Sequence, residues 1–207
     1  MATLLPSRRM ILTLTMAVLA PAVLPPCAAA DEAVLAPAHQ LIDGLLRVMK
    51  AGHNTPFSQR FSMLAPVIDQ TFDLTTILNL SVGATWQSMP PDQQAILLQA
   101  FRRYTVSSYV NSFDNYSGQR FVVNPETRTV GNEQVVQTKI IPVAGEGHEL
   151  DYVMREGPAG WRIVDVLADG AISRVAVQRS DFRQLIRQGG ASALAQNLEA
   201  KSANLAG

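Results

Sequence analysis

The 207-residue sequence contains a single cysteine, few charged residues and no excess of either charge. One cysteine excludes a disulfide within the chain and a metal site built from several thiolates. Because 17 Lys and Arg balance 17 Asp and Glu, the chain lacks the basic excess typical of proteins that bind nucleic acids through phosphates. A hydrophobic share of 47% with only 16% charged residues predicts a globular chain with a buried core.

The motifs of several enzyme classes are missing as well. The sequence has no G-x-S-x-G of hydrolases, no H-E-x-x-H of zinc proteases, and neither G-x-x-x-x-G-K nor G-x-G-x-x-G of nucleotide-binding folds. His39, His53 and His148 fall in different predicted elements and show no metal-ligand spacing. No nucleophile, base and oxyanion site can be assembled from what remains.

Two side chains still allow a chemical interpretation. His148 stands beside carboxylates in a glycine-rich turn, which predicts a solvated hairpin and leaves a metal site as the alternative. Asp165 lies between Val164 and Val166 in an apolar strand. It is interpreted as a structural carboxylate that accepts hydrogen bonds, with a general base of raised pKa as the alternative.

The first 30 residues have the pattern of a secretory signal peptide. Arg8 and Arg9 precede an uncharged apolar run over residues 10–20, and small side chains follow at 28–30. The run is shorter than the roughly 20 residues that cross a bilayer. We therefore expect cleavage after Ala30 and export to the periplasm.

Alternatives to this leader are a lipoprotein, an uncleaved anchor and twin-arginine export. Acylation of Cys27 requires a small residue before it, where the chain has Pro26, and Pro21 and Pro25 would break an anchor helix. The segment 7–12 resembles a twin-arginine signal. Cleavage removes two basic residues and the cysteine, and it leaves 177 residues with 15 basic and 17 acidic side chains.

The mature chain is predicted to be one α+β domain, 31–207, with a helical part over 31–117, a sheet over 118–170 and C-terminal helices over 176–204. Helical spacing predicts helices over 33–50 and 58–64, an interruption at Pro66, a helix capped by Asp73 and a long helix over 91–112 that begins at Pro91. Ser180 is a candidate cap for a helix that stops at Gly189 and Gly190, before a last helix.

The long helix has one apolar and aromatic face, which either packs in an ordinary core or lines a ligand. Its members are Leu98, Phe101, Thr105, Tyr109, Phe113 and, if the helix extends that far, Tyr116. Four alternating runs predict an antiparallel meander of four strands, over 119–123, 134–143, 148–155 and 161–167. A twisted sheet with one apolar face needs a cover, and this helix can supply it.

Several segments in order resemble the MlaC family, also called the toluene-tolerance family. They are Pro91–Gln94, Phe101–Tyr104, Trp161–Asp165, Asp169–Ser173, Gln178–Phe182 and Gly189-Gly190. The resemblance spans about residues 60–200, and Asp169–Phe182 is most similar to the HpnM branch, which is associated with hopanoids. One departure is Gln178, where many relatives carry tyrosine.

The resemblance implies a periplasmic carrier of phospholipid or hopanoid with a cystatin-like or nuclear-transport-factor-like fold around an apolar lipid pocket. It also implies membrane partners: an MlaD-type inner-membrane ABC transporter complex or a hopanoid exporter, and an outer-membrane lipoprotein complex. It implies no enzyme activity, no cofactor other than the lipid cargo, no metal and no nucleic acid. Two alternatives remain, namely a small enzyme with Asp165 or His148 as general base, and an envelope adaptor with a solid core.

Candidate tail-binding residues follow from the apolar helix face and the apolar side of the strands. They are Phe101, Tyr109, Phe113, Ile140, Leu150, Tyr152, Met154, Val164 and Val166. Their predicted shared sidedness motivates the choice, because alternate residues of a strand point to the same face.

Overall fold

The computed structural model describes residues 27–207 of the chain, and its side chains from residue 32 onward. The helices are α1 (Cys27–Ala51), α2 (Phe57–Thr71), α3 (Leu74–Val82), α4 (Thr85–Ser88), α5 (Pro91–Ser112) and α6 (Arg174–Ala206). The strands are β1 (Arg120–Val130), β2 (Glu133–Ile141), β3 (His148–Gly157), β4 (Gly160–Ala168) and β5 (Ile172–Ser173). None of the helices within residues 27–207 combines the length and hydropathy of a membrane span.

The predicted leader falls mostly on residues 1–26, which lie outside the described residues. Helix α1 begins at Cys27 and therefore runs across Ala30, after which cleavage is predicted. Its side chains from Val34 to Met49 bury one face at helical spacing, including Leu41 and Leu45, which are fully buried.

Local signals in the helical half are largely confirmed. Asp73 caps α3, since its carboxylate accepts hydrogen bonds from the Thr76 amide at 2.9 Å and the Thr76 hydroxyl at 2.7 Å. Pro91 occupies the first turn of α5 as predicted. The predicted interruption at Pro66 is wrong, because α2 continues through it. The buried side chains beyond Pro66, among them Val67 and Ile68, hold that turn against the core despite one lost backbone hydrogen bond.

The five strands form one antiparallel sheet in the order β1-β2-β3-β4-β5. The meander is confirmed, but the prediction of four strands is wrong by one. Strand β5 has two residues and adds to the edge through Ser173 opposite Leu167, a pairing too short to leave an alternating pattern in the sequence. Strand β1 also continues beyond Val123, where the predicted strand ends, and reaches Val130 after a register shift between Val123 and Thr127.

The main core lies between one face of the sheet and the helices. This inner face contributes Val136, Tyr152, Met154, Ile163 and Val166. The opposite, outer face carries a separate small cluster of Val135, Val153 and Val164. Strand β4 contributes to both faces because its pairing with β3 contains a second register shift. Val153 pairs with Asp165, whereas Met154 pairs with Ile163. Val164 is left as the extra residue of a bulge.

Helix α6 starts earlier than predicted. The cap is Ser173 rather than Ser180, since the Ser173 hydroxyl oxygen accepts a hydrogen bond from the Ala176 amide at 3.0 Å. The predicted break at the paired glycines appears as a kink within the element, with non-helical angles at Gly189 and at Gly190, whose φ is 64° and ψ is −153°. Only glycine adopts the Gly190 conformation without strain.

Candidate functional site

A cavity of about 60 Å³ lies in the main core beneath the first turns of α6. Helices α3 and α5, strand β4 and the start of α6 supply its walls. Its lining residues are Phe72, Leu74, Ile77, Phe101, Tyr104, Thr105, Ser108, Tyr109, Asp165, Val166, Arg174, Val175 and Gln178. Pockets that hold drug-sized ligands measure roughly 300 to 1,000 Å³, so a ligand of that size requires the walls to move.

Helix α5 packs into the core with some of its side chains and borders the cavity with others. Its fully buried residues, such as Leu97 and Val110, pack in the solid core. Thr105 and Tyr109 from the predicted aromatic face remain half-buried because they border the cavity. The helix ends at Ser112, so Tyr116 lies beyond it and does not extend that face.

Aromatic rings continue from the cavity toward β1. Phe72 meets Tyr109 edge to face at 5.6 Å between ring centroids, and Tyr109 stacks on Phe113 at 5.9 Å. Phe113 in turn lies 6.2 Å from Phe121 of β1. Burial raises the pKa of the Tyr109 phenol, while the positive charge of Arg174 opposes that shift. Tyr109 is therefore a neutral phenol at physiological pH, and it presents an uncharged wall to the cavity.

Asp165 connects two elements at the edge of the cavity. Its carboxylate accepts hydrogen bonds from the Val166 amide at 2.8 Å, the Val175 amide at 3.0 Å and the Ser173 hydroxyl. These bonds join β4 to the first turn of α6. The geometry agrees with the interpretation of Asp165 as a structural carboxylate, since three donors already occupy it.

His148 does not share a site with Asp165. It is exposed at the start of β3, opposite Ile140 of β2. Asp165 pairs with Val153, five residues farther along β3, which corresponds to about 16 Å at the usual rise per strand residue. Within the part of the chain that the structure describes, no three His, Cys, Asp or Glu side chains are grouped to hold a metal ion.

Gln178, the departure from the family pattern, fastens the first half of α6 to α3. Its side-chain oxygen accepts a hydrogen bond from the Ser81 hydroxyl at 3.1 Å. Ser81 is nearly inaccessible to solvent, and its single hydroxyl proton is shared between Gln178 and the closer Ile77 carbonyl oxygen, at 2.7 Å. Gln178 and Ile77 both line the cavity, so this contact closes one of its walls.

The structure divides the predicted tail-binding residues into four groups. Phe101, Tyr109 and Val166 line the cavity. Four others lie in the same core without lining it; these are Phe113, Leu150, Tyr152 and Met154. Ile140 is half-buried at the end of β2, opposite Phe121.

Val164 forms the fourth group. Alternation predicts the same side for Val164 and Val166, but the structure places Val164 on the outer face of the sheet. The physical reason is the bulge, which adds one residue and reverses the alternation that follows it.

Sequence reasoning missed part of the cavity wall. Phe72 lies in the short connection between α2 and α3, and Arg174 and Val175 lie in the first turn of α6, which the sequence pattern starts later. Some of the missed residues had an available signal. Tyr104 and Ser108 lie one helical turn apart beside the aromatic face of α5, and Leu74 and Ile77 are apolar side chains at helical spacing in α3.

The chain matches the model of the MlaC protein family over residues 39–200. No curated protein matches it in sequence. Among solved structures it is similar to a phospholipid-binding protein from Ralstonia solanacearum in complex with a phospholipid. The two are 22% identical with a TM-score of 0.72, and the match covers 84% of this chain and 99% of that chain. This likeness confirms the α+β fold.

Proposed function

Since the chain belongs to the MlaC protein family, we propose that it is a periplasmic lipid carrier. The acyl tails of its cargo enter the cavity beneath α6, and residues 1–30 are removed as a signal peptide. The observation that carries the proposal is this cavity, which has aromatic and aliphatic walls and reaches polar side chains at the start of α6. The solved relative of similar fold is a phospholipid-binding protein, which supports phospholipid as the cargo class.

The free energy of transfer allows such a carrier to hold a lipid in water and gives membrane partners a role in its loading. Burial of a methylene group stabilises the complex by about 0.8 kcal/mol relative to water, or on the order of 20 kcal/mol for two ordinary acyl chains. Relative to a bilayer the gain is near zero. A loaded carrier can therefore cross water. Exchange with a bilayer proceeds without a large loss of free energy but slowly, and membrane proteins that lower the extraction barrier speed loading and unloading.

The resemblance supports two sets of partners for these steps. One is an inner-membrane ABC transporter complex of the MlaD type together with an outer-membrane lipoprotein complex. The other is a hopanoid exporter, if the cargo is a hopanoid. Identification of the native lipid by mass spectrometry, after organic extraction of protein purified from its envelope, distinguishes the two cargoes. The carrier proposal is overturned if native protein releases no lipid and takes none up from vesicles.

Loading requires the cavity to widen, and the first half of α6 is the wall best placed to move. Residues 174–188 contain one buried side chain, Phe182, whereas the half beyond the kink contains five, at Ala191, Leu194, Ala195, Leu198 and Ser202. We infer that the first half bends outward at Gly189 and Gly190 while the second half stays in the core, a movement that releases the Gln178 contact with Ser81 and the bond between Asp165 and the Val175 amide.

A pair of tryptophan substitutions in α6 tests the cavity. Val175 lines it, while Val177, two residues away, is 41% exposed. In Val175→Trp the indole fills the cavity, and we expect at least a fivefold loss of labelled phospholipid taken up from vesicles. Val177→Trp is the matched control and should take up as much as the unmodified protein. Equal uptake by both variants would place the tails elsewhere.

Replacement of both candidate bases separates the carrier from the enzyme alternative. Asp165→Asn keeps an oxygen acceptor for the first turn of α6, and His148→Gln changes an exposed side chain. A carrier without a catalytic step should release its bound lipid chemically unchanged, both from the unmodified protein and from the double variant. Chemical conversion of the bound lipid by the unmodified protein, lost in the double variant, would instead establish an enzyme.

A further inference from the structure

A second space adjoins the cavity at its polar end. This groove of about 390 Å³ lies between the last turns of α5 and the C-terminal end of α6. It shares Tyr104, Ser108 and Arg174 with the cavity lining and adds polar side chains such as Asn111 and Lys201. An amphiphile can therefore contact both spaces at once, with its apolar part on one side of this shared rim and its polar part on the other.

The groove is cationic. Its lining contains Arg174 and Lys201 and no carboxylate. Among the ion pairs of residues 32–207, none involves either cation. The carboxylate nearest in the cavity lining, Asp165, is engaged by three hydrogen-bond donors of its own. Both positive charges consequently remain available to an anion.

The two cations border the shared rim rather than the far end of the groove. The Lys201 ammonium lies 5.9 Å from the ring centroid of Tyr104, which lines both spaces. Arg174 lines both spaces, and its positive charge opposes the rise that burial causes in the pKa of the Tyr109 phenol inside the cavity. An anion held between Arg174 and Lys201 therefore lies where the headgroup of a tail-bound lipid must emerge.

We propose that this cationic groove binds the phosphate of a lipid whose tails occupy the cavity, and that the carrier thereby selects phosphate-bearing glycerolipids over uncharged lipids. The proposal rests on the carrier function above. A guanidinium presents a planar pair of donors to phosphate oxygens, the ammonium adds a point charge, and the Ser108 hydroxyl and Asn111 amide complete the donor set. Free phosphate has the same chemistry but lacks the tails that hold the headgroup in place.

The test compares two lipids with identical tails, phosphatidylglycerol and diacylglycerol, both tail-labelled. Each is presented at the same small fraction in vesicles of digalactosyldiacylglycerol, which contain no phosphate. We expect the unmodified protein to take up phosphatidylglycerol about tenfold better, the factor expected for one to two charged hydrogen bonds at an exposed site. Added salt should reduce the preference, because the Debye length falls from about 10 Å at 0.1 M to about 3 Å at 1 M.

The double variant Arg174→Gln/Lys201→Gln should lose the preference, because its uptake of phosphatidylglycerol should fall to the level of diacylglycerol. Arg183→Gln/Arg187→Gln is the matched control, since it removes two exposed cations of α6 that do not line the groove. It should keep the preference. Thermal unfolding of both variants verifies that they fold.

Each result decides a different point. A preference that survives in the Arg174/Lys201 variant, or is absent from the unmodified protein while uptake persists, overturns the phosphate groove and leaves the carrier function intact. Uptake of neither lipid by the unmodified protein overturns the carrier function and the groove with it. If the unmodified protein shows no lipid preference but binds inorganic phosphate in calorimetry, and the Arg174/Lys201 variant loses that binding, the groove is assigned to the free ion and its role in lipid selection is overturned.

Discussion

The two faces of the sheet bury aliphatic side chains from the same strands, but different structures cover them. Inner-face residues such as Met154 and Ile163 lie under helices and merge with the core of the whole domain. The outer-face valines form a cluster of three, next to the long polar side chains of Glu133 and Arg155, which pair at 2.6 Å. A cavity for a ligand needs walls on several sides, and the inner face is the one that contributes to the cavity beneath α6.

The two faces also show that the burial of a side chain does not predict whether it lines the cavity. Val164 is 2% exposed and Val166 is 8% exposed, so burial alone ranks Val164 higher. Only Val166 lines the cavity. The depth of a side chain therefore says less about ligand contact than the face on which it lies.

Truncation of an inner-face side chain should have the largest effect on stability. Met154 is fully buried among helices and strands, and Met154→Ala should lower the free energy of unfolding by about 2 to 5 kcal/mol. Val135→Ala on the outer face should cost about 1 to 2 kcal/mol, since its cluster contains only two other valines and the partly buried Leu167. Urea unfolding of both variants gives the two values. Equal losses would contradict the difference between the faces.

Loss of the connection between β4 and α6 should have the second-largest effect on the free energy of unfolding. Asp165→Ala removes the acceptor of two backbone amides and the Ser173 hydroxyl, and we expect a loss of about 1 to 3 kcal/mol in urea unfolding. Asp165→Asn should recover part of it, because the amide oxygen can still accept one of these bonds. A loss as large in Asn as in Ala would show that the charge matters rather than the acceptor.

The two faces of the sheet also predict a difference in lipid uptake between variants of Val164 and of Val166. Val164→Ala should lower the free energy of unfolding by about 1 to 2 kcal/mol and leave lipid uptake from vesicles unchanged. Val166→Phe adds volume to the cavity wall and should reduce uptake severalfold. If Val164→Ala is fully folded under the assay conditions and still takes up less lipid, the conclusion that Val164 lies away from the cavity is wrong.

The smallest effect is expected at Asp151 on the outer side of β3. Burial, with the charge of Glu149 as a lesser cause, raises the pKa of this carboxyl, although a hydrogen bond from the Thr138 backbone and the charge of Arg128 oppose the shift. A folded-state pKa above the unfolded value means that the ionised form costs stability at neutral pH. Asp151→Asn should therefore be more stable than the unmodified protein at pH 7.

The pH dependence verifies the sign of this effect. As the pH falls through the folded-state pKa of Asp151 toward its usual value of 3.8, the folded protein takes up the proton first, and the advantage of Asp151→Asn should vanish. Unfolding curves of both proteins at several pH values measure it. An advantage that grows toward low pH would show that the carboxylate is stabilised in the folded protein.

Local signals in the sequence were sufficient for much of the fold. The Asp73 cap, the start of α5 at Pro91 and the meander depend on interactions within a few residues, and the structure confirms them. Pro66 shows that a local signal can be overruled, because packing of α2 compensates for the missing amide of this residue. The two-residue strand β5 shows it too, since its pairing depends on the neighbouring strand rather than on its own residues.

For the candidate site, the sequence by itself determined which side chains are apolar and on which helical arc they lie, as for Phe101 and Tyr109 in α5. Tertiary structure alone decided where the cavity is. The bulge in β4 moved Val164 to the outer face, and the early start of α6 brought Arg174 and Val175 over the core. The reason is physical: periodicity along a chain is a local property, whereas a cavity and its charged rim depend on the distances between elements that are remote in sequence.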